Sequence, residues 1–160
     1  MRKLSFIVPV AVVLIALFMS TVFIVDERNK ALILQFGRVV AVKEDPGLAF
    51  KIPFIQEVVF YDDRILSRDV DPLEVTPLDD RRLVVDAFTR YRITDVNQFR
   101  EAVGTGGVQV AESRLDSILK SEMREVLGSV SSNDILSSDR AVLMSRIRNA
   151  AIEKALPLGI

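Results

Sequence analysis

The sequence predicts an α+β domain carried behind an N-terminal membrane helix. Three observations lead there. Leu4–Val25 is an uncharged run of 22 residues. From Lys30 to Ile93 the apolar residues recur at period two and are interrupted by Gly and Pro. From Thr94 onward the apolar period becomes three and four. Strands and helices are segregated, without βαβ alternation, which is the pattern of an antiparallel sheet with C-terminal helices.

At about 1.5 Å per residue, a helix over Leu4–Val25 crosses the roughly 30 Å hydrocarbon core of a bilayer. Leu4, Pro9, Leu14 and Val25 mark this span. Met1, Arg2 and Lys3 form a short tip before it, and Asp26, Glu27 and Arg28 close it. A cleaved secretory leader is one competing reading and a buried soluble helix is the other. A leader has a shorter apolar core, about 7–15 residues, ending in a small-x-small site. Here Met19-Ser20-Thr21 is followed by Val22, Phe23, Ile24 and Val25. Pro9 lies near the start, where a lost backbone bond costs least. Arg2, Lys3 and the terminal amine favour a cytoplasmic N-terminus, against Arg28, Lys30, Arg38 and Lys43 on the other side. Large folded segments cross regardless of charge, so the short basic tip is the guide and places the domain outside.

Behind the anchor lie 135 residues, enough for one domain over 26–160 with a core of its own. They carry 19 basic and 22 acidic side chains, a net charge of −3. Without a basic block there is no electrostatic footprint for nucleic acid. Cysteine is absent, which excludes disulfides and thiolate chemistry. Histidine is absent too, which removes the commonest metal ligand and the usual general base. No catalytic, metal or cofactor-binding residue is assigned.

Lys30–Gln35 and Arg38–Val42 are apolar runs about a Phe36-Gly37 break, a hairpin with glycine in the turn conformation. Lys43 to Gly47 is a second turn. Leu48, Phe50, Ile52 and Phe54 then recur at period two. Pro53 confines their segment to a sheet edge or loop. These four pack into a core or touch the bilayer surface just beyond the anchor. Val58–Asp62 and Ile65–Asp71 read as strands around Asp62-Asp63-Arg64, and Pro72, Pro77 and Leu78-Asp79-Asp80 mark loops. In Leu83–Ile93 one face carries Leu83, Val85, Ala87, Tyr91 and Ile93; the other carries Val84, Asp86, Phe88, Arg90 and Arg92.

Thr94-Asp95 caps a short helix over Val96–Val103. Gly104-Thr105-Gly106-Gly107 reads as a hinge, since it follows no strand and matches no phosphate loop. Val108–Leu127 has a helical stripe and Gly128 at its C-terminus. Ser138 caps a last helix from about Asp139 to Leu156. Lys120 and Ser121 are adjacent on a helix and do not face each other, so no Ser-Lys pair forms. Asp62, Asp63, Asp79, Asp80 and Asp86 suit turn caps and the solvated surface. Glu112, Arg114, Asp116, Lys120, Glu122, Arg124 and Glu125 read as a solvated face with pairs such as Asp116–Lys120, or as a lateral protein interface.

Three segments carry a resemblance. Glu27–Val39 (ERNKALILQFGRV), Pro46–Ile55 (PGLAFKIPFI) followed by Tyr61–Ile65, and Val84–Asp95 (VVDAFTRYRITD) occur in this order behind the anchor. Together they resemble the band 7, or SPFH, superfamily of stomatin, prohibitin, flotillin and HflK/HflC. The three-residue tip, the Ala102–Gly107 junction and Ala111–Leu115 are similar to its HflC branch. The resemblance implies a bacterial inner-membrane protein with a single span, its N-terminus cytoplasmic and its domain periplasmic. It implies assembly with an HflK paralogue into a ring and modulation of the membrane AAA protease FtsH, without enzymatic activity of its own. Two rivals are a stomatin-like scaffold acting on lipids or a channel, and a membrane-associated peptidase. Family members continue into a long helix, so the 160 residues are expected to stop short of a final strand and a coiled coil.

Overall fold

The β-branched and aromatic residues between Val22 and Tyr91 build strands, and the stripes at helical spacing after Thr94 build helices. The computed structural model describes residues 12, 18–137 and 139–160. Its strands are β1 (Val22–Val25), β2 (Asn29–Gln35), β3 (Arg38–Lys43), β4 (Gly47–Phe50), β5 (Gln56–Asp62), β6 (Leu66–Val75) and β7 (Leu83–Tyr91). Its helices are α1 (Val96–Val103), α2 (Gly107–Gly128), α3 (Ser132–Leu136) and α4 (Arg140–Ala155). The class is α+β, as the segregated pattern predicts. The chain divides into two compact units, Met1–Arg64 and Ile65–Ile160.

The first unit holds two small antiparallel sheets, β1-β4 and β3-β2-β5. β2 is central in its sheet, and Ala31, Leu32, Ile33 and Leu34 are all buried, so both of its faces are apolar. The hairpin stands where the sequence places it, with Gln35 paired to Arg38. The two-residue loop has positive φ at both positions, +49° at Phe36 and +79° at Gly37. That geometry matches the right-handed twist of a hairpin, so Phe36 as well as Gly37 takes the left-handed conformation. A register shift between Ile33 and Leu34 makes a bulge beside it.

The helix predicted over Leu4–Val25 is corrected at its C-terminal end. Thr21 is helical, but Val22–Val25 is β1, paired with Gly47–Phe50. Four consecutive β-branched or aromatic residues suit a pleated surface, and the β4 backbone satisfies their polar groups. Val25 is buried against Ala31 and Ala49 in the core of this unit. Leu4, Pro9 and Leu14 lie outside the described residues. Among the described residues no helix is long and apolar enough to cross a membrane.

In the second unit β6 and β7 pair antiparallel. Pro72, expected in a loop, lies within β6 at a register shift between Val70 and Leu73. A bulge tolerates the missing N–H. The core joins Val70, Leu73 and Val75 to Met123, Val126 and Leu127 of α2 and to Leu143 and Ile147 of α4. α1 spans the predicted residues, and Asp95 accepts from the N–H groups of Asn97 and Gln98. The expected hinge at Gly104–Gly106 is a turn of 3₁₀ helix. α3 is an element that reading the polar Ser131–Asp134 stretch as a break misses; a reciprocal Ser131/Asp134 capping box starts it. Ser138, the expected cap of the last helix, lies outside the described residues.

Candidate functional site

β4 alternates from Leu48 to Phe50. Ala49 turns inward to Val25 and Ala31, while Leu48 and Phe50 are 66% and 65% exposed. Ile24 pairs with Leu48 and Val22 with Phe50 across the ladder, so Ile24 shares the outward face. Beyond β4 the chain enters a turn at Pro53. It is closed by Gln56, whose side chain accepts from the Ile52 N–H at 2.8 Å and whose N–H donates to the Ile52 carbonyl at 3.0 Å. Ile52 is exposed, and Phe54, with φ of +66°, is 92% exposed. Leu48, Phe50, Ile52 and Phe54 therefore do not pack into a core; the inward place belongs to Ala49. Ile24 pairs with Leu48, and Phe36 lines a cleft with Phe54; the sequence reading singled out neither Ile24 nor Phe36. Phe36 could be found from hairpin chemistry, because a two-residue loop of this twist points its first central residue outward.

The anchor residues proposed from sequence separate. Leu4, Pro9 and Leu14 are outside the described residues, and Val25 is a core residue of β1. The Thr21 carbonyl accepts the Lys51 N–H at 2.8 Å, which ties the end of the helical residues to the 51–55 loop.

In the second unit the charged face of α2 is neither a row of i,i+4 pairs nor an open surface. Asp116 accepts from Arg68 Nη2 of β6 at 3.2 Å, not from Lys120. Lys120 Nζ reaches Asp71 at 3.1 Å. Glu112 lies 3.6 Å from Arg68 and accepts the Tyr91 hydroxyl at 2.9 Å. Burial, then this bond to Glu112, pushes the Tyr91 phenol well above its ordinary range. Glu122 is buried and pairs with Lys154 of α4, which raises the Lys154 ammonium. Arg114 donates to the Ala102 carbonyl at 2.8 Å. These charges fasten α2 to β6, α4 and the end of α1. Arg124 and Glu125 remain on the exposed side.

The carboxylates behave as turn and surface groups. Asp62 pairs with Arg64, and Asp63 lies 3.2 Å from Lys30. Asp79 accepts the Ser132 N–H at 3.0 Å and the Ser132 hydroxyl, which lowers its carboxyl. Among the described residues no group of three or more Asp and Glu could hold a metal ion. A cleft of about 780 Å³ runs along β7, with Val84 and Phe88 on one wall and Met144 and Ile152 of α4 on the other.

A family model described as SPFH domain / Band 7 family matches residues 23–160. The chain is 33% identical over 156 residues to the "Modulator of FtsH protease HflC" of Escherichia coli K12, covering 94% of this chain and 46% of that protein. It is 28% identical over 151 residues to "Protein HflC" of Haemophilus influenzae, covering 91% and 51%. With "Protein HflC" of Vibrio cholerae the identity is 29% over 148 residues, covering 89% and 45%. The chain spans about half the length of the curated relatives it matches.

Proposed function

Since the chain belongs to the SPFH domain / Band 7 family, we propose that it is a membrane-anchored, non-enzymatic scaffold. Its work would be to regulate an FtsH-type membrane AAA protease, and that protease's access to membrane-protein substrates, together with an HflK-like paralogue. The observation that carries this reading is the 33% identity, over 94% of the chain, to a protein named as a modulator of FtsH protease. The absence of His and Cys agrees with a role that binds rather than cleaves.

In this reading Leu4–Thr21, at about 1.5 Å per residue, makes a helix of about 27 Å, close to the hydrocarbon thickness. It is a single span of a bacterial inner membrane, with a cytoplasmic tip and a periplasmic domain. The exposed Leu48, Phe50, Ile52 and Phe54 rest on the bilayer surface beside its exit. The protein works as a homo- or hetero-oligomer with its paralogue.

Cross-linking in native membranes followed by mass spectrometry tests the partners. Recovery of both an HflK-like chain and an AAA protease is the expected result; recovery of neither overturns the proposal. A reporter active only in the periplasm, fused after Ile160, should be active. Activity of a cytoplasmic reporter at the same position would favour a stomatin-like topology. Peptide hydrolysis by the purified chain would overturn the non-enzymatic reading.

A further inference from the structure

The three-stranded sheet of the first unit has two open edges. Its order is β3-β2-β5, so β2 is paired on both sides. β3 and β5 each present an outer backbone edge that no strand among the described residues takes up. Proteins blunt such edges with proline, very short strands or charge in mid-strand. β3 has six residues and no proline, and Val39-Val40-Ala41-Val42 between its ends is uncharged. Val40, Ala41 and Val42 are all exposed. The bulge at Ile33/Leu34 falls at the hairpin end, and Ala41–Lys43 stay in regular register. β5 is uncharged over Val58–Tyr61, and Phe60 is exposed.

The two edges are opposite in charge. β3 carries Arg38 and Lys43 at its ends, and β5 carries Glu57 and Asp62 near its own. Asp62 is held by Arg64. Arg38, Lys43 and Glu57 form no ion pair among the described residues. β3 and β5 both run antiparallel to β2, so they run in the same direction. A second copy related by a turn about an axis along the strands therefore sets its β3 parallel to the first copy's β5. Residues opposite the same β2 residue are level. Val39 and Glu57 stand opposite Leu34, Ala41 and Val58 opposite Ile33, and Val42 and Val59 opposite Leu32. A contact at that level puts Glu57 beside Arg38 and Val39 of the next copy. The alternative, β3 against β3 across a two-fold axis, brings Arg38 and Lys43 of one copy against the same two cations of the other, and like charges across a ladder repel.

We propose that the chain associates head to tail, the β3 edge of one copy adding to the β5 edge of the next, so that the small sheets join into one. The inference rests on the oligomer reading above and adds the surface, its direction and the occupant. That occupant is a second copy of this chain, because both complementary edges lie on its own surface. Backbone hydrogen bonds hold the contact, and Arg38 and Lys43 against Glu57 set its direction and register. The contact is heterologous: a pair of copies leaves one β3 edge and one β5 edge open. It propagates into a ring where the turn per copy closes and into an open chain where it does not.

The chain has no cysteine, so an introduced one reports alone. Full chains carrying Val42→Cys or Val59→Cys are reconstituted into phosphatidylethanolamine/phosphatidylglycerol vesicles, separately and as an equal mixture, and treated with a short bismaleimide. Expected is a cross-linked dimer in the mixture and in neither variant alone, with a ladder of larger species for the chain carrying both changes. Ala41→Cys with Val58→Cys, level opposite Ile33, is a second pair and should behave alike. Glu57→Lys should lower the mixed yield about threefold, the effect of reversing one exposed ion pair; an unchanged yield overturns the charge pairing that sets the direction. Cross-linking of Val42→Cys to itself assigns a two-fold β3–β3 contact and overturns the proposal. Chains that run as oligomers on native gels yet cross-link through neither pair overturn the edge contact and leave the oligomer reading standing. Monomers throughout overturn both.

Discussion

Asp62 is the last residue of β5, within the first unit, and accepts the Arg64 N–H at 2.9 Å. Its carboxylate also takes the Arg64 guanidinium at 2.6 Å. The side-chain bond first, then the backbone bond, hold its pKa at about 2, down from 3.8. A depressed carboxylate binds its proton more weakly folded than unfolded. Its contribution to stability is therefore complete above the unfolded value and lost as pH falls through the folded one. Between pH 3.8 and about 2, acid unfolding followed by circular dichroism should be shallower for Asp62→Asn than for the parent chain. A direct titration of the Asp62 carboxyl carbon by NMR should give a midpoint near 2, and a midpoint near 3.8 would contradict the pairing. This residue's role was legible, because Asp-Asp-Arg between two strands is turn chemistry. The role of Phe36 was not. A reading that lets Gly37 carry the turn overlooks that the hairpin twist asks for positive φ at two consecutive positions.

Among the elements, α1, α2 and α4 were legible in extent, because their apolar residues recur at helical spacing, whereas the single turn of α3 was not. What the charged face of α2 does was not legible either. Spacing identifies Asp116 and Lys120 as mutual neighbours, yet both reach across to β6, a choice made by tertiary placement that no local rule contains. The last turn makes the same point. Leu156–Leu158 is a 3₁₀ turn, and Gly159 after it has φ of +75°. Its carbonyl accepts from the N–H groups of Thr94 and Asp95 at 2.9 and 3.3 Å, so the turn is docked onto the start of α1. A Cβ at Gly159 would lie 2.6 Å from the Asp95 carbonyl oxygen and 2.8 Å from the Phe99 nitrogen. Those are backbone atoms of the capped turn and cannot swing away. Gly159→Ala should therefore destabilise the fold by about 3 kcal/mol, from left-handed strain of about 1 and overpacking of about 2. Gly128, expected at a helix C-terminus, is the last residue of α2, and a Cβ there meets open space. Gly128→Ala is the matched control and should leave the melting temperature unchanged or raise it slightly. Equal losses at the two glycines would show that the close approach at 159 is not what matters.

For the whole molecule, the sequence pattern carried the α+β class, the hairpin and the order of elements, but not the division into units after Arg64 or the exit of the N-terminal segment. An uncharged run reads as one object until its last four residues are needed by β4. Val22–Val25 then become strand, and alternation across that strand buries Val25 while exposing Ile24. The same alternation decides Leu48 and Phe50, whose apolar character alone permits a core as readily as a surface. Both are outward, on a two-stranded sheet at the root of the apolar segment. If that face rests on lipid, a chain beginning at Val22 should retain weak, reversible binding to anionic vesicles. The double change Leu48→Asp, Phe50→Asp should weaken it. Partial burial of each side chain is worth about 1 kcal/mol, half or less of full burial. The pair together corresponds to roughly a 30-fold loss in partitioning. Because both side chains are already solvent-facing, the variant should keep the circular dichroism and melting temperature of its parent, so lost binding cannot be confused with lost folding. Unchanged partitioning in vesicle sedimentation would remove this face from the bilayer and leave the span itself as the sole attachment.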